Sequence, residues 1–479
     1  MIDRENFILL TDSYKMGHWK MLLDGTQNVG SYFESRTGAK YPTTSFFGLQ
    51  AYLKRYFVGV VITQQDIEEA DLFCKEHFGM DLFNRKMWER IVNVHGGKLP
   101  LRIKAVPEGS AVPVNNVLFT VEVTDEQCKA LVEDNGNGAI APLTNGVESL
   151  LTHVWASSNV STISRDIRKC MEKAFEISAD TNNVLPFMLH DFGFRGVSSV
   201  ESAGMAGMGH LSSGFMGTDT MQAIVYGRRY YNTKAMLGFS VPATEHSVMT
   251  PLGAVGERKI AEMIIDRFPD GILSMVSDSF NIIEAIKVYG TILKEKIVTR
   301  NGKFVVRPDS PRFKGDKACD QIVWIAKELE KYFGASKNKK GYKTLHPKVG
   351  IIYGDGLSAD EIKESVWALV AVGFSAETCV FGMGGGLLQK HNRDTQRSAF
   401  KCSAQKRDDV WYDVQKIPLD VTKASKAGRL KLVNNGNNLK TVKVDEAGDD
   451  FMQTVFLNGE IVKEYTFEEV RANSLVDYI

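Results

Sequence analysis

Short apolar runs punctuate the middle of this chain, and each stops at a cluster of Gly, Asp, His or Arg. Met188-Leu189 leads into His190-Asp191-Phe192-Gly193-Phe194-Arg195-Gly196, and Gly238-Phe239-Ser240-Val241-Pro242 leads into Thr244-Glu245-His246-Ser247. Ile272 to Val276 stops at Ser277-Asp278-Ser279, and Phe304-Val305-Val306 stops at Arg307-Pro308-Asp309-Ser310. Gly350 to Tyr353 stops at Gly354-Asp355-Gly356, and Val380-Phe381 stops at Gly382-Met383-Gly384-Gly385-Gly386. Continuous apolar runs of this length read as strands of a parallel sheet buried on both faces. Helical patterns lie between several of them. Ser358-Ala359-Asp360-Glu361 is a capping box; Ile362, Val366, Leu369 and Val370 form one apolar face, and Gly373 closes the helix. A second face, Ile322, Ile325, Leu329 and Tyr332, ends at Gly334.

This rhythm runs from 146 to 400 and predicts an α/β domain. The flanks read differently. Over 1–145 short strands and helices mix. Leu101 to Val106 and Val117 to Val123 read as strands, with Pro107-Glu108-Gly109 turning the chain after the first. Glu133 to Gly138 is polar and turn-rich, so an exposed loop is expected there. Over 401–479 strand patterns return, and Thr454 to Val462 reads as a hairpin turned by Asn458-Gly459. The two flanks are expected to pack together as one β-rich lobe.

Composition narrows the function. Lys+Arg and Asp+Glu are both 58, so no global basic field favours nucleic acid, and any phosphate site must be local. The six Cys, at 74, 128, 170, 319, 379 and 402, include no C-x-x-C pair, which disfavours a zinc site or a disulfide framework and fits a reducing compartment. The first residues carry no signal-peptide pattern, and no apolar run approaches the roughly 20 residues of a membrane helix. A cytoplasmic enzyme without a membrane segment is expected.

In α/β barrels and open α/β sheets, reactive groups gather at the carboxyl ends of strands. Here those ends carry two Arg, a His, several Asp and a glycine loop, a chemistry suited to a phosphorylated anion. Single strand-to-helix turns also favour Gly, Asp and Ser; six with this chemistry point to an active site. Gly384-Gly385-Gly386 can bring backbone amides to a phosphate at a helix N-terminus, although a tight turn uses the same residues. Arg307 can grip phosphate and Asp309 can accept from ribose hydroxyls, with a structural ion pair as the alternative. His246 reads as a base, a metal ligand or a phosphoryl acceptor, and Asp278 can orient one ring nitrogen and leave the other as nucleophile. Asp219, in Gly217-Thr218-Asp219-Thr220, reads from spacing alone as a helix N-cap.

These blocks, together with Leu10-Thr11-Asp12-Ser13-Tyr14-Lys15 and Ser31-Tyr32-Phe33-Glu34, resemble the nicotinamide phosphoribosyltransferases, of the type II phosphoribosyltransferase family, over nearly the whole chain. The resemblance implies an irregular α/β barrel with a second, β-rich lobe built from N- and C-terminal segments. It implies transfer of the 5-phosphoribosyl group of phosphoribosyl pyrophosphate to nicotinamide in NAD salvage, with Mg²⁺ and with ATP as co-substrate phosphorylating His246. Arg195 and Arg307 would hold phosphates and pyrophosphate, and Asp309 would face the ribose. Gly354, Asp355, Gly384, Gly385 and Arg393 would line the nucleotide, with Arg393 on its 5-phosphate. Phe192 would stack on one pyridine face, and Tyr14, from the other subunit of a homodimer with shared active sites, on the opposite face. Arg36 and Lys401 would add positive charge. Ser240 would join the substrate site. Asp219 would accept the substrate's amide N–H and repel the carboxylate of nicotinate. The resemblance names no metal ligands. Residues 133–142 read as an insertion and Thr37 to Thr44 as a shortening relative to vertebrate members. A nicotinate-using enzyme of the same fold and a non-catalytic binding protein are the rival readings.

Overall fold

The structure, a computed structural model, describes residues 5–127, 139–419 and 424–478. The expected loop Glu133–Gly138 lies outside them. The chain forms two compact units: one of residues 1–162, 226–234 and 392–479, the other of 163–225 and 235–391. The short stretch 226–234 thus belongs with the flanks, although it sits inside the βα rhythm.

The first unit carries a seven-stranded sheet ordered Val410–Asp413, Ser398–Arg407, Thr26–Ser35, Val117–Val123, Leu101–Ala105, Gln453–Leu457 and Glu460–Ile461. Every neighbour is antiparallel. Both chain flanks supply strands. The hairpin at Asn458-Gly459 forms, with φ of 49° and 84°, the positive values that a tight two-residue turn requires. Thr26–Ser35 is buried at every position although its sequence, TQNVGSYFES, is largely polar. Asn28 shows how this is tolerated. Its side chain donates to the Val123 carbonyl (2.9 Å) and accepts from the Val123 amide (3.1 Å) where the strand register shifts. A buried polar group is stable when its hydrogen bonds are made.

The second unit is built on a six-stranded parallel sheet ordered Gly217–Thr218, Leu189–Asp191, Cys379–Met383, Val349–Tyr353, Asn301–Arg307 and Asp270–Val276. The expected strand Gly238–Pro242 is not a regular strand. It makes single bridges, Phe239 to Gly217 on one edge and Ala243 to Ser274 on the other, and so joins the two ends of the sheet into an irregular barrel. Pro242 has no N–H to give to a ladder, which explains the break in pairing. The helix Ala359–Ala371 opens on the expected capping box, Ser358 and Glu361. In the helix Ala318–Phe333, Phe333 is buried where the periodicity pointed to Tyr332. Tyr332 lies instead over Gly290, where a Cβ would come within 2.2 Å of its ring. Among the described residues no helix is long and apolar enough to cross a membrane.

Candidate active site

The parallel strands of the second unit deliver most of the candidate residues to their carboxyl ends. At the end of Leu189–Asp191, Asp191 is fully buried and accepts from the Gly193 amide (2.7 Å) and the Thr218 hydroxyl (3.2 Å). Burial pushes its carboxyl up to about 6, partly offset by these bonds. It therefore shapes the turn that presents Phe192 and Arg195. The sequence signal for it, an acid inside the His190–Gly196 block, was visible without its role. His190 is also buried, and burial lowers its pKa, against a raising effect of Asp219; its imidazole is neutral near pH 7. The rings of His190 and Phe192 are 6.0 Å apart at 52°.

Asp219 does not act as the helix cap that spacing suggested. Its carboxylate is exposed and accepts a hydrogen bond from the Ser240 hydroxyl, and its own N–H donates to the Asp191 carbonyl (2.9 Å). Ser240, His190, Phe239, Ser274, Val305 and Ile351 are among the walls of a cavity of about 480 Å³. Its lining comes from several strands of the same unit, so it runs along the barrel interior. It is mainly apolar, with a few polar groups, which is the usual make-up of a small-molecule site.

On the other side of the rim stands His246. Thr244 is anchored by its N–H to the Ser274 carbonyl (3.0 Å), and its hydroxyl accepts from the Val276 amide (2.9 Å). His246 follows at the start of a single helical turn. Its Nδ1 is 3.0 Å from the Ser279 hydroxyl. Its Nε2 faces two carboxylates, Asp309 Oδ2 at 3.4 Å and Asp278 Oδ1 at 3.9 Å. Carboxylates only accept, so the neutral ring carries its proton on Nε2, and Ser279 donates to Nδ1. Asp278 at 3.9 Å is an electrostatic partner rather than the hydrogen-bonding orienter expected from sequence. Its Oδ2 accepts from the Asp309 N–H (2.9 Å) and from the Ser310 hydroxyl, fixing that loop. Ser279 is the hydrogen-bonding ring partner, and sequence reading overlooked it beside Asp278.

Arg307 and Asp309 do not form the ion pair weighed above. Arg307 Nη2 donates to the Thr244 carbonyl (2.5 Å), and its buried Nε has no partner. Asp355 is half-buried; burial and then Asp309, Asp278 and Glu361 push its carboxyl upward. Arg195 lies exposed on the single turn Phe194–Gly196. Gly384 and Gly385 lead into only one turn, Gly385–Leu388. The expected helix-terminus contribution is therefore small, and backbone amides alone carry any phosphate reading there. This turn lies close against Gly196, where a Cβ would come within 2.9 Å of Gly385.

The remaining candidates, Tyr14, Arg36, Arg393 and Lys401, belong to the first unit. Tyr14 is 61% exposed and stands edge-on to His18 at 5.2 Å. The next residue, Lys15, is buried and paired with Glu148 at 2.6 Å. Lys401 is half-buried. Burial lowers its pKa, Glu148 opposes the shift, and Arg36, Arg393 and Lys416 reinforce it. Lys401, Arg36 and Arg393 are thus close enough to form one basic cluster. Arg36 Nε also donates to the Arg397 carbonyl (3.4 Å).

Residues 6–103 match the family described as nicotinamide phosphoribosyltransferase, N-terminal domain, and residues 187–460 match the nicotinate phosphoribosyltransferase family. A nicotinamide phosphoribosyltransferase of Xanthomonas campestris pv. campestris is 39% identical over 98% of both chains. One from Acinetobacter baylyi is 29% identical over 98% of this chain and 97% of its own. The crystal structure of human nicotinic acid phosphoribosyltransferase superposes with a TM-score of 0.58 at 12% identity, covering 97% of this chain and 93% of that one, and shares the fold.

Asp191 makes a pH-dependent contribution to stability. Its folded pKa, about 6, lies above the ordinary value of 3.8. Between these values the unfolded chain has released a proton that the folded protein keeps. Stability from this group therefore falls as pH rises through about 4 to 6 and is level above, a loss on the order of 2–3 kcal/mol. Denaturant unfolding of the parent and Asp191→Asn from pH 4 to 7 should show the parent losing that much relative to the variant. A constant difference across the range would refute it.

Proposed function

We propose that the chain, which belongs to the nicotinamide phosphoribosyltransferase family, transfers the 5-phosphoribosyl group of phosphoribosyl pyrophosphate to nicotinamide, yielding nicotinamide mononucleotide and pyrophosphate. The observation that carries this reading is the division of the barrel rim. One side offers an aromatic ring, Phe192, 6.0 Å from the ring of His190, and the Asp219–Ser240 pair. The other offers His246 between Ser279 and two carboxylates, beside an Arg307 donor without a partner.

In the transfer, the bond from ribose C1 to the pyrophosphate oxygen breaks, and the lone pair of the pyridine nitrogen forms the new C1–N bond. That nitrogen needs no base. Phe192 positions the ring, and Arg195 and Arg307 stabilise the departing pyrophosphate, an electrostatic task for which a single donor is worth roughly 10²–10³ in rate. Gly354, Asp355, Asp309, Gly384 and Gly385 line the nucleotide. A carboxylate at Asp219 accepts the amide N–H of nicotinamide. With His190 neutral, its ring does not offset the negative charge of nicotinate, which favours nicotinamide over the acid.

ATP phosphorylates His246 in the same reading. The Nδ1 lone pair attacks the γ-phosphorus, the bond to the β–γ bridging oxygen breaks, and ADP leaves. Asp309 and Asp278 balance the charge that develops on the ring, with the proton retained at Nε2. For Ser279 this requires its hydroxyl to leave Nδ1. Mg²⁺ fits this rim in one way. Among the described residues no group of three or more His, Cys, Asp or Glu is arranged to hold a metal, but Asp278 Oδ1 is buried without a hydrogen-bond partner. Asp278 and Asp309 would hold the ion together with phosphate oxygens, the usual division of ligands for this cation, and its charge would help neutralise the leaving group. The exposed Tyr14 and the basic Arg36, Lys401 and Arg393 complete the site in a homodimer, with Tyr14 closing the partner's pyridine slot. Mass measurement of nucleotide formed from nicotinamide and phosphoribosyl pyrophosphate, with and without ATP, tests the reaction; no product would reject it.

Three outcomes follow for variants. Asp219→Asn should shift the ratio of kcat/KM toward nicotinate by about tenfold or more, since tenfold corresponds to about 1.4 kcal/mol of relieved repulsion; an unchanged ratio removes Asp219 from base selection. His246→Ala should take up no acid-labile, base-stable phosphate from labelled ATP yet keep weak ATP-independent transfer, and label on that variant would place the acceptor elsewhere. Mixed Tyr14→Ala and His246→Ala chains should regain activity in heterodimers. Absence of rescue in exchange-competent mixtures would argue against the shared site.

A further inference from the structure

The Phe192 ring rests on two glycines of neighbouring strands. A Cβ at Gly382 would lie 2.1 Å from Phe192 Cε2, 2.5 Å from Cδ2 and 3.0 Å from Cζ. One at Gly354 would lie 3.1 Å from Cε2 and 3.3 Å from Cδ2. The same edge of the ring therefore faces both positions, and at Gly382 the contact is closer than any side chain tolerates. The backbone beneath the ring cannot yield easily. The Phe192 N–H donates to the Met383 carbonyl (2.8 Å), and the next amide, Gly193, is held by the buried Asp191 carboxylate (2.7 Å). The neighbouring ring is seated in the same manner: a Cβ at Gly217 would lie 2.4 Å from His190 Cδ2. Neither Gly382 nor Gly354 has positive φ, so backbone conformation does not demand glycine at either place. Space for the ring does.

We propose that Gly382, with Gly354 in support, is a positioning residue for the pyridine base. By leaving out a side chain, it lets the Phe192 ring sink against the strand ends and sets the width of the slot in which nicotinamide stacks. This rests on the reading of Phe192 as the ring platform. Alanine at 382 would drive the ring away from both glycines by roughly 1 Å to restore ordinary van der Waals separation, enough to misplace a stacked substrate. Alanine at 354 needs a shift of only a few tenths of an ångström, so its effect is smaller. Gly382 is not among the residues set around the His246 ring, and the phosphorylation step there does not use the slot that it widens.

Steady-state kinetics of the full-length chain separate the possibilities. Gly382→Ala should raise the KM for nicotinamide about tenfold or more. The KM for phosphoribosyl pyrophosphate and the uptake of label from ATP should stay within about twofold, a split that general loosening of the barrel would not produce. Gly354→Ala should move the nicotinamide KM in the same direction by less. A folded Gly382→Ala chain with the parental nicotinamide KM overturns the proposal. Coupling through the ring is tested by a double-mutant cycle. Phe192→Leu alone should raise the nicotinamide KM, and adding Gly382→Ala to it should change little, because the smaller side chain clears the new methyl. A full additional loss in the double variant also overturns the proposal, and the comparison holds even if Gly382→Ala does not fold alone. If Phe192→Leu leaves the nicotinamide KM unchanged, the platform reading itself fails, and the proposal fails with it.

Discussion

A parallel sheet of six strands has two edges, and each edge strand leaves a row of amides and carbonyls without partners. In this protein one irregular segment, running from Phe239 to Thr244, satisfies both. The Thr218 N–H donates to the Phe239 carbonyl (3.0 Å), and the Phe239 N–H donates to the Met216 carbonyl (2.7 Å). On the far edge the Ser274 N–H donates to the Pro242 carbonyl (2.9 Å), and the Thr244 N–H donates to the Ser274 carbonyl (3.0 Å). Unpaired backbone groups in an interior are costly, and these bonds remove that cost at the one place where the sheet cannot close by regular pairing. The rest of the rim depends on this closure. Ser240, which holds Asp219, lies inside the segment, and His246 follows it directly.

The closed rim separates two kinds of chemistry. Around His190, Phe192 and the cavity below Ser240 the groups are mostly aromatic, apolar or neutral, with Asp219 an exposed negative charge and Lys303 and Glu377 in the cavity wall. Around His246 the carboxylates of Asp278, Asp309 and Asp355 crowd together, and Asp355 is held upward in pKa by burial and by the other two. Such crowding of like charges is unfavourable in itself. Asp278 does two things with its two oxygens. One fixes the Asp309–Ser310 loop, and the other stays buried and unpaired towards His246.

The first unit follows a different logic. Its sheet is antiparallel and draws strands from both flanks of the chain, so its stability depends on pairings across hundreds of residues, such as Tyr32 with Lys401. Lys401 and Arg36 sit on or beside these central strands. Their basic cluster is therefore carried by the sheet itself, while Tyr14 is carried by the short helical segment Ser13–Lys20 that Lys15 ties to Glu148.

The amino-acid sequence alone determined the local elements and the residue types at the strand ends. The capping box at Ser358 and Glu361, the Asn458-Gly459 hairpin and the apolar runs before Asp278, Arg307 and Gly354 all follow from short-range rules of periodicity and turn chemistry. The blocks resembling a known family were equally legible, because they are contiguous. What needed the tertiary structure was every feature set by partners distant in the chain. The strand Thr26–Ser35 has no apolar alternation, because both its edges are paired and its Asn28 side chain serves as a backbone surrogate. Gly238–Pro242 looked like a strand, but Pro242 and two different neighbours reduced it to bridges. Asp219 looked like a cap until Ser240 was brought to it. The proton on His246 could be placed only once Asp309 and Ser279 stood on opposite sides of the ring. Gly382 carries no local signal at all, since its meaning is the absence of a side chain beneath a ring that belongs to another strand.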